Sequence, residues 1–206
     1  MPLRDHYLLF LDLETTGLDP VRDLPLEVGL LLVRAVDLEV MWSFVESPLK
    51  TPVPAYQLAM SDVVRAMHDK SGLLAAMTWP TGAPAIAGPA VTLEEALASA
   101  LNRMAESMEW VPSTGFADAT CFKENWITLA GYSIHFDRAF LKHHAPQFEA
   151  RCHHQMLDVS SLRRCAKEWA PGLVGEQGVT HRALDDCYTA LDELRLHKRH
   201  YEKRPL

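Results

Sequence analysis

A continuous apolar run at residues 7–11 ends directly in two carboxylates, Asp12 and Glu14, and this junction limits the possible folds more than any other part of the chain. A short apolar run of this kind predicts a buried β-strand. Side chains alternate along a strand, so Asp12 and Glu14 share one face of the sheet. Residues 15–20 include the Gly, Asp and Pro typical of a turn, which places the acidic pair at the end of the strand.

Two interpretations of this acidic pair are open when it is considered alone. Carboxylates beside apolar side chains are costly unless a cation is bound, which favours a metal site. A solvated pair at a strand end, with no ligand, also fits the motif. The other acidic residues of the chain distinguish between the two.

Length and charge exclude several classes of protein. The chain has 206 residues, 48% of them hydrophobic, and a formal net charge of -7. These values predict a single globular domain over residues 1–206. The negative charge argues against a protein that wraps long duplex nucleic acid through a broad basic surface, although a small footprint on nucleic acid is still compatible with it.

The sequence predicts a cytoplasmic protein with reduced thiols. It has no run of about 18 apolar residues that could span a membrane, and its first six residues do not begin a signal peptide. The four cysteines form no C-x-x-C pair, so we expect free thiols and no structural zinc.

The apolar periodicity predicts an α/β domain with a mixed sheet. Strands at 26–33 and 40–45 follow the first with short connections, which predicts an antiparallel meander. Thr92 and Glu95 have the spacing of a capping box, and Thr180 is expected to cap the last helix. The remaining predictions are helices at 57–68, 92–110, 136–144, 159–169 and 181–201, a strand at 126–132, and loops at 78–90 and 113–125.

Asp137 is a third acidic candidate. It follows the strand at 126–132 by a few residues and lies at the start of an amphipathic helix. Ligands of open α/β sheets bind at such strand-to-helix crossings, so Asp137 can approach the end of the sheet. A negative charge that stabilises the helix N-terminus is the alternative interpretation.

His181 and Asp186 form a further motif at the start of the last helix. Five residues correspond to about 7.5 Å along a helix axis, so both side chains can reach one pocket. Asp185 points elsewhere and is expected to be exposed. Alone, a histidine at a helix start is usually a capping or surface residue.

Combined, the motifs predict a metal-dependent site for phosphodiester hydrolysis. Four acidic residues supply about the number of oxygen ligands that two divalent ions, Mg²⁺ or Mn²⁺, require. Two metals roughly 3.5 to 4 Å apart stabilise the attacking and leaving oxygens of an in-line displacement at phosphorus. His181 can then accept a proton from the attacking water.

On these motifs the sequence resembles the DEDDh 3′ to 5′ exonucleases, and within them most closely the oligoribonucleases. The resemblance implies an α/β, RNase H-like (exonuclease) fold with a central mixed sheet flanked by helices. It also implies Asp12, Glu14, Asp137 and Asp186 as metal ligands and His181 as general base. The matching segments are 11–20, 68–73, 131–138, 157–160 and 181–186.

The implied activity is the removal of nucleoside 5′-monophosphates from the 3′ end of short single-stranded RNA or DNA. By resemblance Leu18 wedges between two bases of the substrate and His68 lies near the scissile end. Thr15 and Ser133, within or beside the same motifs, are the other candidate substrate-binding residues. Oligoribonucleases are homodimers, so the resemblance also implies a homodimer.

Several positions depart from the oligoribonuclease pattern. His154 and Gln155 replace a Tyr-Arg pair of the family. By resemblance the Tyr is supplied across the dimer to the partner's active site, and the Arg helps to cap the 5′ phosphate. Gln155 cannot form a charge-assisted bidentate contact with phosphate. Val63 replaces a tryptophan, Tyr132 replaces an asparagine, and the loops at 78–90 and 113–125 are longer than usual. The residues of the predicted chemistry therefore match the family pattern, whereas the residues linked to substrate length depart from it.

Two alternatives to an oligoribonuclease-like enzyme are compatible with the sequence. The first is a proofreading-type or DNA-trimming exonuclease that acts on longer single strands. The second is a non-catalytic nucleic-acid-binding module on the same fold. Such a module would tolerate loss of an acidic residue or of the histidine, whereas all five residue types are present here.

Overall fold

The centre of the fold is a five-stranded sheet with the strand order β3-β2-β1-β4-β5. The computed structural model describes residues 7–47, 49–51, 58–77, 91–107, 127–174, 178 and 180–202. Within these residues the strands are β1 (Tyr7–Thr15), β2 (Pro25–Arg34), β3 (Glu39–Glu46), β4 (Thr128–Gly131) and β5 (Leu157–Asp158).

Strand β1 lies in the middle of the sheet and is paired differently on its two sides. It pairs antiparallel with β2, which pairs antiparallel with β3, so the predicted meander is confirmed. On its other side β1 pairs parallel with β4, which pairs parallel with β5. The sheet is therefore mixed, as predicted.

Helices cover both faces of this sheet. The helices are α1 (Asp62–Lys70), α2 (Leu73–Met77), α3 (Leu93–Ser107), α4 (His135–His144), α5 (Pro146–Glu149), α6 (Val159–Trp169) and α7 (Ala183–Glu202). Leu9 and Leu11 of β1 belong to the apolar cluster that contains α3 residues. Phe10, on the opposite face, packs in the cluster that contains Cys187 and Leu191 of α7. By alternation, Asp12 and Glu14 lie on the α7 face.

The predicted boundaries of the helix at 57–68 and of the strand at 126–132 are wrong. The helix expected at 57–68 begins at Asp62, because Ser61 is extended and its side chain accepts a hydrogen bond from the Val64 amide. The strand expected at 126–132 ends at Gly131, since Ser133 has a φ of 46° and starts a tight turn into α4. The helices predicted at 136–144 and 159–169 agree with α4 and α6 within one residue.

The last helix begins two residues later than predicted, and Thr180 is not its cap. The Thr180 hydroxyl donates a hydrogen bond to Asp186 Oδ1 at 3.1 Å instead of accepting one from a helix amide. The amide of Ala183, the first residue of α7, donates to Glu27 Oε1 at 2.8 Å. A carboxylate from the adjacent sheet therefore takes the place of the local cap.

The predicted capping box and the predicted free thiols are present in the described residues. Thr92 and Glu95 form the predicted capping box, with the Glu95 amide donating to Thr92 Oγ1 and the Thr92 amide to Glu95 Oε2. Cys152, Cys165 and Cys187 are free thiols. The loops at 78–90 and 113–125, the helix end at 108–110, Trp126 and Cys121 lie outside the described residues. A search of the described helices finds none with the length and apolar character of a membrane span.

Candidate active site

Asp12 and Glu14 lie at the end of β1 and border a cleft of about 220 Å³. In the antiparallel pairing they face Gly29 and Glu27 of β2. The residues that line the cleft are Asp12, Leu13, Glu14, Tyr132, His181, Asp186 and Thr189. Residues from β1, the β4–α4 connection and the start of α7 therefore meet in one place.

Asp137 is attached to the same strand through its carboxylate. Its Oδ1 accepts a hydrogen bond from the Leu13 amide at 2.9 Å, although 124 residues separate the two in sequence. Asp137 lies in the first turn of α4 and is buried. The short turn after β4 thus brings this acidic side chain to the backbone that separates Asp12 from Glu14, as the strand-to-helix crossing predicted.

Asp186 organises the segment that carries His181. Its Oδ1 accepts hydrogen bonds from the Thr180 amide and hydroxyl at 3.0 and 3.1 Å, and its Oδ2 accepts one from the His181 amide at 3.2 Å. His181 has a φ of 56°, a left-handed conformation that few non-glycine residues adopt. The carboxylate therefore holds this strained backbone, and Asp185 is exposed as predicted.

The structure brings all five predicted residues to one region. The ligand atoms of Glu14, His181 and Asp186 lie within 4.8 Å of one another, close enough to surround a single metal ion. Asp12 lines the same cleft, and Asp137 reaches it through Leu13. The carboxylate oxygens that dominate this donor set are the ligands that Mg²⁺ and Mn²⁺ prefer.

Burial and mutual repulsion raise the pKa values of these carboxyl groups. Desolvation, followed by the charges of Asp186, Glu27 and Asp137, raises the pKa of Glu14 to about 8. The pKa of Asp12 is raised well above its ordinary value by desolvation and then by Asp137 and Glu14. Burial also raises the pKa of Asp137. A site that concentrates negative charge in this way is stabilised by a bound cation.

Glu27 is a residue of the site that sequence analysis missed. It is completely buried in β2, where Oε1 accepts from Arg182 Nε at 3.1 Å and Oε2 from Arg182 Nη2 at 2.8 Å. Together with its bond from the Ala183 amide, this ion pair fixes the chain on the C-terminal side of His181. The sequence did contain a signal for it: Glu27 is a single glutamate in an otherwise apolar predicted strand. A charge buried in such a strand is almost always paired, so a partner could have been expected.

Gly29 allows α7 to approach the sheet. A Cβ at this position would lie 2.4 Å from the Leu184 nitrogen and 2.5 Å from the Ala183 carbonyl carbon. Only glycine therefore permits the start of α7 to lie directly on β2. The position of Asp186, in the first turn of α7, depends on this close contact.

Thr15 is the last residue of β1, and Leu18 lies in the turn that follows it. Leu18 is 74% exposed, so its side chain is available to a ligand. Thr15 donates its hydroxyl hydrogen to the Gly17 carbonyl at 2.6 Å. Asp23 accepts hydrogen bonds from the Thr16 hydroxyl and the Asp19 amide, which ties the two ends of the turn together. Leu18 is thus presented on a fixed turn.

His68 has no exposed surface in this structure, unlike the substrate-contacting residue predicted. Its Nε2 donates to the Thr15 carbonyl at 2.8 Å, and its Nδ1 lies 3.6 Å from Glu14 Oε2. Desolvation lowers the pKa of the ring. These contacts fit a residue that supports β1 and Glu14 from beneath.

Ser133 lies at the turn between β4 and α4. Its amide donates to Ser160 Oγ at 2.9 Å and to Asp158 Oδ1 at 3.1 Å. Its hydroxyl lies 3.1 Å from Ser160 Oγ. Ser133 and Ser160 are both partly buried.

Sequence comparison finds oligoribonucleases over nearly the whole chain. The chain is 33% identical over 202 residues to an oligoribonuclease of Corynebacterium efficiens, covering 96% of this chain and 80% of the relative. It is 32% identical to that of Pseudomonas syringae pv. syringae, covering 95% and 96% of the two chains. The match to the oligoribonuclease of Sodalis glossinidius is 32% identical and covers 98% of each. No family model matches.

Comparison with solved structures finds exonuclease I. The zinc-bound form of the Escherichia coli enzyme in complex with single-stranded DNA has a TM-score of 0.59 and 18% identity, over 97% of this chain and 42% of that one. Exonuclease I of Methylocaldum szegediense gives 0.59 and 16%, over 96% and 41%. The chain spans about two fifths of these enzymes. The likeness establishes the RNase H-like exonuclease fold.

Proposed function

The chain belongs to the oligoribonuclease family, and from this premise we propose a metal-dependent 3′ to 5′ exonuclease that acts on short single-stranded RNA or DNA. Its products are nucleoside 5′-monophosphates. One observation carries the proposal. The side chains of Asp12, Glu14, His181 and Asp186 line one cleft, and burial raises the pKa of its carboxyl groups.

We assign the metal ligands to four carboxylates. Asp12, Glu14, Asp137 and Asp186 would hold two divalent cations, Mg²⁺ or Mn²⁺. Bound there, such cations activate water and stabilise both the attacking and the leaving oxygens at phosphorus. The protein's own contribution is to fix these carboxylates, through the Leu13 amide for Asp137 and the Thr180 and His181 amides for Asp186.

His181 is the proposed general base. Its position beside the cleft and its held backbone fix where the imidazole can accept a proton. The His181 ring also lies within 4.8 Å of the Glu14 and Asp186 oxygens, so His181 could itself be a metal ligand. Substitution of His181 distinguishes the role of a base from that of a metal ligand. Loss of the base lowers turnover and leaves metal affinity intact, whereas loss of a ligand lowers both.

The substrate is held, in this proposal, by groups on both sides of the carboxylates. Leu18 inserts between bases from the turn after β1, and Thr15 lies at the same end of the strand. Ser133 offers its hydroxyl at the β4–α4 turn. His68 supports Glu14 and Thr15 from the buried side. We further propose that the protein is cytoplasmic and forms a homodimer. Sedimentation equilibrium of the purified protein tests the homodimer by measuring the mass of the assembly.

The experiment uses purified protein with 5′-labelled RNA and DNA oligonucleotides in Mg²⁺ or Mn²⁺. We expect stepwise shortening from the 3′ end that EDTA abolishes and that Asp12→Ala lowers by at least about a thousandfold. Release of label as a mononucleotide from the 5′ end first, or activity that survives both EDTA and Asp12→Ala, would contradict the proposal.

A further inference from the structure

Tyr132 lines the cleft, although neither the proposed metal ligands nor the proposed base include it. Strand β4 pairs with β1 so that Ala130 lies opposite Phe10. Tyr132 directly follows Gly131, the last residue of β4, and lines the same cleft as Asp12. The side chain of Tyr132 therefore begins next to the proposed metal site.

The hydroxyl of Tyr132 is bound at a distance from that site. It donates to Glu193 Oε2 at 3.1 Å, and Glu193 also accepts a hydrogen bond from Arg163 Nη1. Glu193 is buried in α7, seven residues after Asp186, which corresponds to about 10 Å along the helix. The hydroxyl is thus held along α7 away from Asp186, while Tyr132 itself lines the cleft.

Packing fixes the orientation of this ring. The ring of Tyr132 is partly buried against the apolar cluster that contains Ala130, Val159 and Leu191. With its backbone held at the end of β4 and its hydroxyl held by Glu193, the side chain has little rotational freedom. A fixed aromatic surface is a stacking platform for a base, since every base presents a π-face.

We propose that Tyr132 is a specificity-determining residue whose ring stacks on one of the two bases that flank the scissile phosphate. The inference rests on the proposed function and extends it to recognition of the base. It assigns to Tyr132 a contact on the β4 side of the carboxylates, whereas Leu18 lies on the turn beyond β1. Stacking exists before and during the reaction, so its loss raises KM more than it lowers kcat.

The test compares three dinucleotides: an unmodified one, one without the 5′ base and one without the 3′ base. We expect Tyr132→Leu, which keeps an apolar side chain but no ring, to raise KM for the unmodified substrate about tenfold, a typical value for one stacked base. With one of the two abasic substrates, wild type and Tyr132→Leu should have equal KM values. That substrate identifies the stacked base.

A uniform rise in KM for all three substrates, or a fall in kcat with KM unchanged, would overturn the proposal. Tyr132→Phe keeps the ring and should raise KM less than Tyr132→Leu does. Tyr201→Ala is the matched control, because Tyr201 is an exposed tyrosine at the far end of α7, and it should leave KM unchanged. Thermal melts of each variant establish that it is folded. An inactive wild type would instead refute the proposed function.

Discussion

At the scale of single residues, the main feature of the site is a set of carboxyl groups that the fold holds together against their repulsion. Glu14 is 5% exposed, and its pKa is raised to about 8 by burial and by Asp186, Glu27 and Asp137. Arg182 lowers this pKa but is itself bound by Glu27. Without a cation, the folded protein therefore has a cost that depends on pH.

That cost predicts the pH dependence of stability in EDTA. A carboxyl group with a raised pKa binds protons more tightly in the folded state than in the unfolded state. Its destabilising effect is absent below the unfolded pKa of about 4.5 and complete above about 8, so stability falls as pH rises through this window. We expect a melting temperature several degrees lower at pH 8.5 than at pH 5.5.

Divalent cations and Glu14→Gln are the controls for this pH effect. Mn²⁺ at pH 8.5 should restore much of the lost stability, because a cation that binds only the folded carboxylates stabilises the folded state. Glu14→Gln should reduce the difference between pH 5.5 and pH 8.5 in EDTA. A stability that rises with pH over this range would contradict the charge distribution described here.

A second prediction at this scale concerns His181. His181→Asn removes the proposed base, and asparagine accepts the left-handed backbone that His181 adopts. We expect kcat to fall by about 10²- to 10⁴-fold, the usual contribution of general base catalysis, with the melting temperature nearly unchanged. Mn²⁺ affinity, measured by calorimetry, should change little. A large loss of affinity would identify His181 as a metal ligand.

At the scale of secondary-structure elements, β2 determines where α7 begins. Glu27 accepts hydrogen bonds from the Ala183 amide and the Arg182 guanidinium, and Gly29 leaves room for the first turn of the helix. His181 lies just before this start and Asp186 just after it. Glu27 and Gly29 of β2 thus position His181 and Asp186 without forming a hydrogen bond to either side chain.

Removal of the Glu27 carboxylate tests this arrangement. Glu27→Ala leaves the Ala183 amide without its acceptor and the Arg182 guanidinium without its partner. A buried donor left without its acceptor typically costs about 1 to 3 kcal/mol of unfolding free energy. We expect a loss of that order in urea denaturation and a fall in kcat, since α7 shifts relative to β1.

Arg182→Ala is the matched control for Glu27→Ala. It removes the exposed partner of the ion pair but keeps Glu27 as acceptor for the Ala183 amide. The cap at the start of α7 would then survive. Equal activity losses for the two variants would show that the ion pair, and not the cap, positions α7.

Sequence patterns predicted the elements better than their ends. The central strands and the helices α4 and α6 have strong apolar periodicity, which depends on local sequence alone. The start of α7 could not be predicted, because its cap is Glu27, some 156 residues earlier in the chain. Thr180 had the correct residue type for a local cap but donates its hydroxyl hydrogen to Asp186.

For the site, too, the sequence predicted which residues belong together but not how each of them is packed. Motif spacing identified Asp12, Glu14, Asp137, His181 and Asp186 as candidates, and the structure places them together. Spacing alone gave no sign that His68 is buried beneath Glu14, since burial depends on how α1 packs on the end of β1.

At the scale of the whole molecule, the segment at Gln155 bears on the length of substrate that the proposed enzyme accepts. Arg138, next to Asp137, donates hydrogen bonds to the His153 and His154 carbonyls and pairs with Glu149. It is therefore engaged in holding the segment that leads to Gln155. The neutral Gln155 offers no charge to a 5′ phosphate.

A length ladder of RNA and DNA tests whether this substitution relaxes the limit. We expect oligomers longer than about five nucleotides to be degraded within roughly tenfold of the dinucleotide rate, since the missing charged contact no longer favours the shortest substrate. Gln155→Arg should then increase the preference for dinucleotides. A steep dinucleotide preference in the wild type would mean that other groups hold the 5′ phosphate.

The residues of the site also determine the register in which β1 pairs with β2. If β2 slipped by one residue, Glu27 would turn toward the apolar cluster beneath α3, where a carboxylate has no partner, and a larger side chain would replace Gly29 under α7. The residues that build the site therefore penalise the wrong register. A chain in the wrong register would therefore lose its core packing and its site together.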